Sequence, residues 1–354
     1  MSWKSTVTDI LKLEYPILQA PMLGVSTPEM AAAVSNEGGL GSLAVGGLSP
    51  EVTRQLIHKT KSLTNNPFAV NLFAHAVPPY TEEDLEPMRQ LLMHLASQRG
   101  YQLDATDLSD FRFYTYHDQL DILIQEGISI VSFTFGCLDS TSIQQLKNGG
   151  CTLIGTATCV EEALYLQQHD IDMITVQGIE AGGHRGTFLD HIPLPQVGLF
   201  SLLPQVKSAV QVPCIAAGGI NSAQTIKAAF ELGADAVQIG TAFIGTDESL
   251  AIASYKDKLM AAKDTDTTLT RAFSGRWARG IRNELMSEIE KSGVSIPPYP
   301  LQNSMIAKLR KLAQQAGDSD YTTLWAGQSA GRTERGSARE VFLNLVKQYK
   351  TLYS

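Results

Sequence analysis

Eight short apolar runs, each bounded by turn residues, recur along the 354-residue chain and predict eight β-strands. Several runs are almost continuously apolar, which is typical of strands that are buried on both faces. Helical patterns follow most of them, and this alternation predicts an α/β fold with a closed parallel (β/α)8, or TIM, barrel. The predicted strands are Ile17–Pro21, Gly39–Val45, Phe68–Ala74, Ile128–Phe135, Thr152–Thr158, Met173–Gln177, Pro213–Ala217 and Ala236–Phe243.

Helix boundary signals lie between the apolar runs. Thr27 and Ser49 each precede a Pro-Glu pair, a pattern typical of an N-cap followed by proline in the first helical turn. Ser222 or Asn221 can cap a later helix, and Gly233 supplies a left-handed residue to end it.

Two segments are too long to be simple connections of a barrel. The first, residues 75–127, contains a helical pattern at Glu82–Ser97, and the second, residues 250–354, contains one around Met305–Ala316. Long additions of this kind usually cover or shape a site. The predicted organisation is a TIM-barrel domain formed by residues 1–74 and 128–249, a helical insertion at 75–127, and a mainly helical C-terminal cap at 250–354.

Composition and charge indicate which kinds of partner the protein can bind. The chain is 44% hydrophobic and 18% charged, an ordinary globular composition, with a formal net charge of −8. Because no basic stripe is present, nucleic acid and anionic membranes are not expected as partners, whereas a small anionic substrate needs only local positive potential. No apolar run approaches the roughly 18 residues of a membrane span. A homo-oligomer is compatible with these features.

The four cysteines show no C-x-x-C pair and no zinc-type spacing, so we predict no metal site. Three of them lie in or beside predicted strands, where a free thiol behaves as a small hydrophobe: Cys137, Cys151 and Cys214. The N-terminal stretch has no signal-peptide pattern. We therefore expect reduced thiols and a cytoplasmic protein.

Glycine-rich turns follow the seventh and eighth predicted strands, with the sequences AAGGIN and QIGTAF. In TIM barrels these two loops commonly bind phosphate. Gly218, Gly219 and Gly240 allow backbone N–H groups to approach an anion, the Thr241 hydroxyl can contribute, and a helix starting near Ser222 adds a positive dipole end. The glycines could instead serve tight turns alone, but two such turns on adjacent strands favour a phosphate site.

Polar and flexible residues also mark the ends of the first and third strands. In QAPMLG, Met22 offers a polarizable surface to a flat ring and Gly24 permits close backbone approach, although a methionine taken alone is more often a core residue than a cofactor contact. Asn71 interrupts an apolar run and needs hydrogen-bond partners, which the edge of a cofactor ring or a local turn would supply.

The richest loop, TVQGIEAGGHRG, follows the sixth predicted strand and ends at Gly186. His184 is the side chain there whose ordinary pKa suits proton transfer near neutrality. A lone histidine is more often a surface residue or a satisfied core residue. The glycine-rich setting at the carboxyl end of a barrel strand favours a functional one.

The motifs occur in a defined order along the chain: QAPMLGVSTPEMAAAVSNEGGLGS, NPFAVNLF, VSFTFG, VQGIEAGGHRGTF, AAGGI and QIGTAF. As an ordered set they resemble the signatures of class I nitronate monooxygenases, once called 2-nitropropane dioxygenases. The resemblance covers residues 15–245 and continues in the tail with YPLQN at 299–303 and LWAGQ at 324–328.

This resemblance implies FMN as cofactor, with its phosphate on Gly218, Gly219, Gly240 and Thr241. The isoalloxazine ring would be contacted by Met22, Leu23, Gly24, Asn71, Gln177 and Gly182. His184 would lie over the ring as the catalytic base. Gln328 is a candidate flavin contact and Tyr299 a candidate wall of the substrate pocket.

The implied reaction is the O2-dependent oxidation of alkyl nitronates, such as propionate 3-nitronate, to carbonyl compounds with release of nitrite or nitrate. Its implied role is detoxification. A nitronate is already electron-rich at carbon, so a base is needed only when the substrate is the neutral nitroalkane.

Three other functions remain open. An NAD(P)H-dependent quinone or enoyl reductase could use the same FMN barrel, although no G-x-G-x-x-G fingerprint occurs between a strand and a helix. A flavin-free phosphate-binding isomerase or lyase is a more distant alternative. A non-catalytic FMN carrier is disfavoured by the setting of His184.

Overall fold

All eight predicted strands form in the computed structural model, which describes residues 3–353 except 105, 107, 108, 110 and 192. The strands are β1 (Ile17–Gln19), β2 (Gly41–Ala44), β3 (Phe68–Phe73), β4 (Ile130–Thr134), β5 (Thr152–Ala157), β6 (Met173–Gln177), β7 (Gly183–His184), β8 (Cys214–Ala217), β9 (Ala236–Ile239), β10 (Thr267–Thr270) and β11 (Ala278–Ile281).

Helices fill the connections between the strands and much of the C-terminal region. They are α1 (Thr6–Leu11), α2 (Pro28–Asn36), α3 (Pro50–Leu63), α4 (Glu82–Gln98), α5 (Leu120–Gln125), α6 (Ser140–Asn148), α7 (Val160–Gln168), α8 (Leu199–Ala209), α9 (Ala223–Glu231), α10 (Thr241–Ile244), α11 (Ala253–Ala261), α12 (Glu284–Lys291), α13 (Leu301–Met305), α14 (Ala307–Gln315) and α15 (Ala338–Tyr353). Short 3-10 turns lie at Tyr116–Asp118 and Ala330–Arg332.

Eight parallel strands form the barrel in the order β1-β9-β8-β6-β5-β4-β3-β2. A parallel bridge between Leu18 and Leu40 joins the two ends of this order, so the ring is nearly closed. The predicted α/β TIM barrel is therefore confirmed. Among the described residues, no helix is long and apolar enough to cross a membrane.

The predicted caps form as hydrogen-bonded N-termini. Thr27 caps α2 by accepting from the N–H of Met30 at 3.0 Å, and Ser49 caps α3 in the same way. Ser222, rather than Asn221, is the N-cap of α9. Gly233 follows that helix with a φ of +100°, a value that favours glycine.

The eighth predicted strand, Ala236–Phe243, was too long. Strand β9 ends at Ile239, and α10 begins at Thr241. Gly240 turns the chain there with φ −111° and ψ −73°, outside the extended region. The apolar residues beyond it remain buried in a helical turn, which an apolar run alone does not distinguish from a strand.

A second hydrophobic core joins α4 of the 75–127 segment to the C-terminal region. Leu85 and Leu92 of α4 belong to the same buried cluster as Phe273, Leu301 and Leu309. The C-terminal region also contributes an antiparallel sheet, in the order β10-β11-β7, which the sequence did not predict. Through this sheet it reaches the loop that follows β6.

Candidate active site

A cavity of about 400 Å³ opens at the carboxyl ends of the barrel strands, and we call it the barrel-mouth cavity. Its walls combine the strand ends with residues of α14 and of the segment 322–329. The lining brings together eleven of the predicted site residues: Met22, Leu23, Gly24, Asn71, Gln177, Gly182, His184, Gly218, Gly219, Gly240 and Thr241. Gln328 and Tyr299 are not part of the lining.

The two glycine turns form one end of the cavity. Gly218 and Gly219 have φ values of +116° and +69°, which L side chains rarely adopt. None of the hydrogen bonds formed by the described residues uses the backbone N–H of Gly218, Gly219 or Gly240. These donors border the cavity near the start of α9, so this end can bind an anion such as phosphate.

Thr241 connects this end to the C-terminal region. Its Oγ1 accepts a hydrogen bond from the N–H of Gly327 at 3.0 Å, which leaves the hydroxyl proton available to the cavity. Gln328 follows with an exposed side chain, while its own N–H donates to the carbonyl oxygen of Glu180 at 3.0 Å. The LWAGQ motif therefore borders the cavity through Trp325 and Gly327.

Asn71 faces the cavity from β3 and is almost fully buried. The register of β3 and β4 places it opposite Ser132, and its Nδ2 donates to the Ser132 Oγ at 3.0 Å. The amide is thus held by a neighbouring strand rather than by a local turn. At the rim, Leu23 remains 39% exposed and Gly24 adopts a φ of +78°.

Two features fix the loop that carries His184. Strand β7 pairs with β11, with His184 opposite Ala278. The Gln177 side chain donates from Nε2 to the His184 carbonyl at 3.0 Å and accepts at Oε1 from the Gly186 N–H at 2.9 Å. Gln177 lines the cavity as predicted, and its amide also clamps the loop on both sides of His184.

The imidazole of His184 is half-buried and lines the cavity. Its Nε2 lies 2.8 Å from the Oγ of buried Ser274. Burial, followed by the positive charges of Arg276 and Arg310, lowers the pKa of His184 to about 3. The imidazole is therefore neutral near pH 7.

An aromatic cluster packs beside this imidazole. Phe135 directly follows β4 and has a φ of +78°, an unfavourable conformation for a bulky residue that is typical of functional sites. Its ring centroid lies 5.2 Å from that of His184 and 4.4 Å from that of Phe73. The guanidinium of Arg276 lies 4.4 Å from the Phe135 centroid. Tyr299 completes the cluster, 6.2 Å from His184.

A half-buried cation, Arg310, reaches the cavity from α14. Arg310 donates from Nη2 to the carbonyl oxygen and Oδ1 of Asn303, both at 3.1 Å, while its Nε is buried with no acceptor. Burial lowers the pKa of Arg310 to about 10, so the guanidinium stays charged at neutral pH. The lining contains no aspartate or glutamate among the described residues.

Five residues at this site were not singled out in the sequence: Phe135, Ser274, Arg276, Arg310 and Trp325. The sequence does contain a signal for Arg310. Ile306, Leu309, Arg310 and Ala313 follow the i, i+3, i+4, i+7 spacing of a buried helical face, so a charge stands where an apolar residue is expected. The sequence contains no such signal for Ser274 and Arg276, because they lie near His184 only through the pairing of distant segments of the chain.

Known proteins match this chain over nearly its whole length. A family model described as nitronate monooxygenase matches residues 4–348. A protein named probable nitronate monooxygenase from Staphylococcus saprophyticus is 40% identical over 350 residues, which cover 98% of each protein. One of the same name from Staphylococcus aureus is 38% identical over 346 residues, covering 98% of this chain and 97% of that protein.

Solved structures share the fold. A nitroalkane oxidase from Streptomyces ansochromogenes superimposes with a TM-score of 0.88 at 37% identity and covers 98% of both chains. FabK from Thermotoga maritima gives a TM-score of 0.76 at 29% identity over 98% of this chain and 96% of its own. The enoyl reductase domain of MlnA from Bacillus amyloliquefaciens, at 14% identity and a TM-score of 0.65, shares the fold alone.

Proposed function

The chain belongs to the nitronate monooxygenase family and is an oxidoreductase, and on that premise we propose that it binds FMN in the barrel-mouth cavity. With FMN it uses O2 to oxidise alkyl nitronates, such as propionate 3-nitronate, to carbonyl compounds with release of nitrite or nitrate. The observation that carries the proposal is a single cavity lined by unpaired backbone N–H groups, a neutral histidine and a half-buried arginine. The biological role is cytoplasmic detoxification of nitronates.

The cavity fits FMN at the phosphate end. The unpaired N–H groups of Gly218, Gly219 and Gly240 and the hydroxyl proton of Thr241 would hold the phosphate. The isoalloxazine ring would be contacted by Met22, Leu23, Gly24, Asn71, Gln177 and Gly182. FMN supplies the one-electron chemistry with O2, and the protein supplies binding and orientation.

The chain's own acid–base chemistry centres on His184. Its Nε2 is engaged with Ser274, and none of the hydrogen bonds of the described residues uses its Nδ1. The neutral ring can therefore take the α-proton of a neutral nitroalkane at Nδ1. A pre-formed nitronate has already lost that proton and needs only to be bound and oriented.

Two measurements test the proposal. Heat-denaturing the purified protein and weighing the released flavin should give FMN; release of FAD, or a colourless protein that FMN cannot reconstitute, would exclude this cofactor assignment. Oxygen uptake with propionate 3-nitronate should then proceed without any nicotinamide cofactor. Anaerobic flavin bleaching by NADH, together with no oxygen uptake on the nitronate, would assign the chain to the reductases instead.

A further inference from the structure

The Arg310 guanidinium lines the barrel-mouth cavity, and no carboxylate of the described residues forms an ion pair with it or acts to raise its pKa. We propose that Arg310 binds the negatively charged oxyanion group of the substrate, and thereby makes the site select anionic nitronates over neutral nitroalkanes. This inference rests on the proposed function. It adds that the site binds the substrate in its negatively charged form.

Other arginines in the interior are compensated in visible ways. Arg89 forms ion pairs with Glu82 and Glu86 at 2.6 Å and 2.5 Å. Arg185 donates to two backbone carbonyls, and the negative charges of Glu162 and Glu180 act to raise its pKa. These guanidinium groups serve the fold, because their hydrogen bonds and charge partners lie within the protein.

Arg310 lacks this compensation. It forms no ion pair with any described residue, and the group that acts to raise its pKa is the phenol of Tyr299. Its Nε–H is buried without an acceptor, as are those of Arg89 and Arg185, and Asn303 accepts only from Nη2. Partial removal of a charge from water without an ionic partner costs free energy, and an anion that enters the cavity can offset that cost.

The chemistry of the guanidinium suits a planar oxyanion. Its fixed donors match the two oxygens of a nitronate or carboxylate group, and hydrogen bonds between charged groups are the stronger kind. Lys311 also lines the cavity, but its side chain is exposed and its charge is therefore screened by water. With a net charge of −8 on the whole chain, the anion preference of this cavity is a local property.

Arg310 and His184 have different roles in this proposal, one in binding an anion and the other in removing a proton. Its positive charge helps to lower the pKa of His184, so the two groups act on one electrostatic environment. Binding of an anion requires Arg310, whereas removal of a proton from a neutral substrate requires His184. Loss of Arg310 should therefore impair the reaction of the nitronate, whereas loss of His184 should impair the reaction of the neutral nitroalkane.

A direct binding experiment uses nitrate, a planar anion that carries no C–H bond to oxidise. Nitrate is titrated into the FMN-loaded protein by calorimetry, and acetate is titrated in a parallel series. In Arg310→Met, the Kd for nitrate should rise about 10- to 100-fold, the range for loss of a charged hydrogen bond. Arg310→Lys should retain part of the affinity, and the matched control Lys308→Met, on the same helix but outside the cavity lining, should retain all of it.

Steady-state kinetics supply the second readout. The KM for ethyl nitronate should rise about 10- to 100-fold in Arg310→Met, while that for neutral nitroethane should change less than about threefold. The variant should melt at or above the wild-type temperature, because it removes a half-buried charge that has no ion-pair partner among the described residues.

The outcomes are distinguishable. Nitrate affinity that is absent in the wild type or unchanged in Arg310→Met overturns the inference, and so does an equal rise of KM for both substrates. If the wild-type protein consumes no oxygen with any nitronate, the proposed function fails instead, and the nitrate titration still decides the role of Arg310.

Discussion

The Nε2 of His184 lies 2.8 Å from the Oγ of Ser274, although 90 residues separate the two in the chain. His184 comes from the loop after β6, and Ser274 lies between β10 and β11 in the C-terminal region. The same region pairs β11 with β7 beside the histidine. The C-terminal region therefore holds the imidazole through Nε2, and none of the hydrogen bonds of the described residues uses Nδ1.

Removing the Ser274 hydroxyl should weaken this orientation. In Ser274→Ala, we expect kcat for neutral nitroethane to fall about 2- to 10-fold, the range for loss of one neutral hydrogen bond. Turnover of ethyl nitronate should be unchanged, because that substrate needs no base, and Ser274→Thr should restore nitroethane turnover. Ser287→Ala, which removes a hydroxyl bonded to the backbone of α12, is the control. Equal losses on both substrates would indicate a structural defect instead.

Replacing the His184 imidazole should lower the turnover of neutral nitroethane more than Ser274→Ala does. Turnover of the nitronate should again be affected much less. His184→Asn keeps a hydrogen-bonding side chain of similar size but cannot accept the α-proton. Turnover of neutral nitroethane should fall about 10²- to 10⁴-fold, the usual contribution of a positioned general base, with a much smaller loss on pre-formed nitronate. The two rates are measured by oxygen uptake on protein whose FMN content has been determined.

Two results would contradict this role. If both rates fall equally while FMN stays bound, His184 positions or stabilises the anion rather than removing a proton. If neither rate falls, the base is another residue.

The barrel and most of its mouth could be predicted because their signals are local. Apolar runs gave the eight strands, and the glycines at 218 and 219 occupy positions whose positive φ values require them. The contacts of His184 were not predictable in this way. Strand β7 has two residues, too few for a periodic pattern, and its partner β11 lies far along the chain.

Arg310 illustrates a different reason for a missed site residue. The amphipathic pattern of its helix was recognised, but a helix pattern does not reveal which surface the buried face covers. That face meets both a hydrophobic core, through Leu309, and the barrel-mouth cavity, through Arg310. The contact of the Arg310 charge with the cavity is visible only in the tertiary structure.

Acid should destabilise the fold partly through His184. Its pKa is about 3 in the folded protein against an ordinary value of 6.5, because burial and the charges of Arg276 and Arg310 disfavour the imidazolium. Between these two values the unfolded chain binds a proton that the folded protein does not, so stability falls as the pH falls. His184→Asn removes this dependence.

Thermal melts should therefore show the difference. The melting temperature of His184→Asn relative to wild type should rise as the pH is lowered from about 7 to about 4, and stay constant above pH 7. His94→Asn, a change at an exposed position, should give a curve parallel to the wild type. A parallel curve for His184→Asn would mean that the imidazole titrates as in the unfolded chain.

The last prediction concerns the glycine turn after β8. Gly219→Asp would place a carboxylate beside the unpaired donors proposed to hold the FMN phosphate, where it would occupy them and repel the phosphate. We expect the variant to be purified without FMN, as judged by its absorbance and by flavin released on heating. Gly293→Asp is a matched control, since its φ of +71° is close to the +69° of Gly219 and a Cβ there meets no atom within 4 Å. Both variants carry similar backbone strain, so loss of FMN in Gly219→Asp alone would assign the effect to the phosphate site, whereas FMN retained in Gly219→Asp would exclude this turn from cofactor binding.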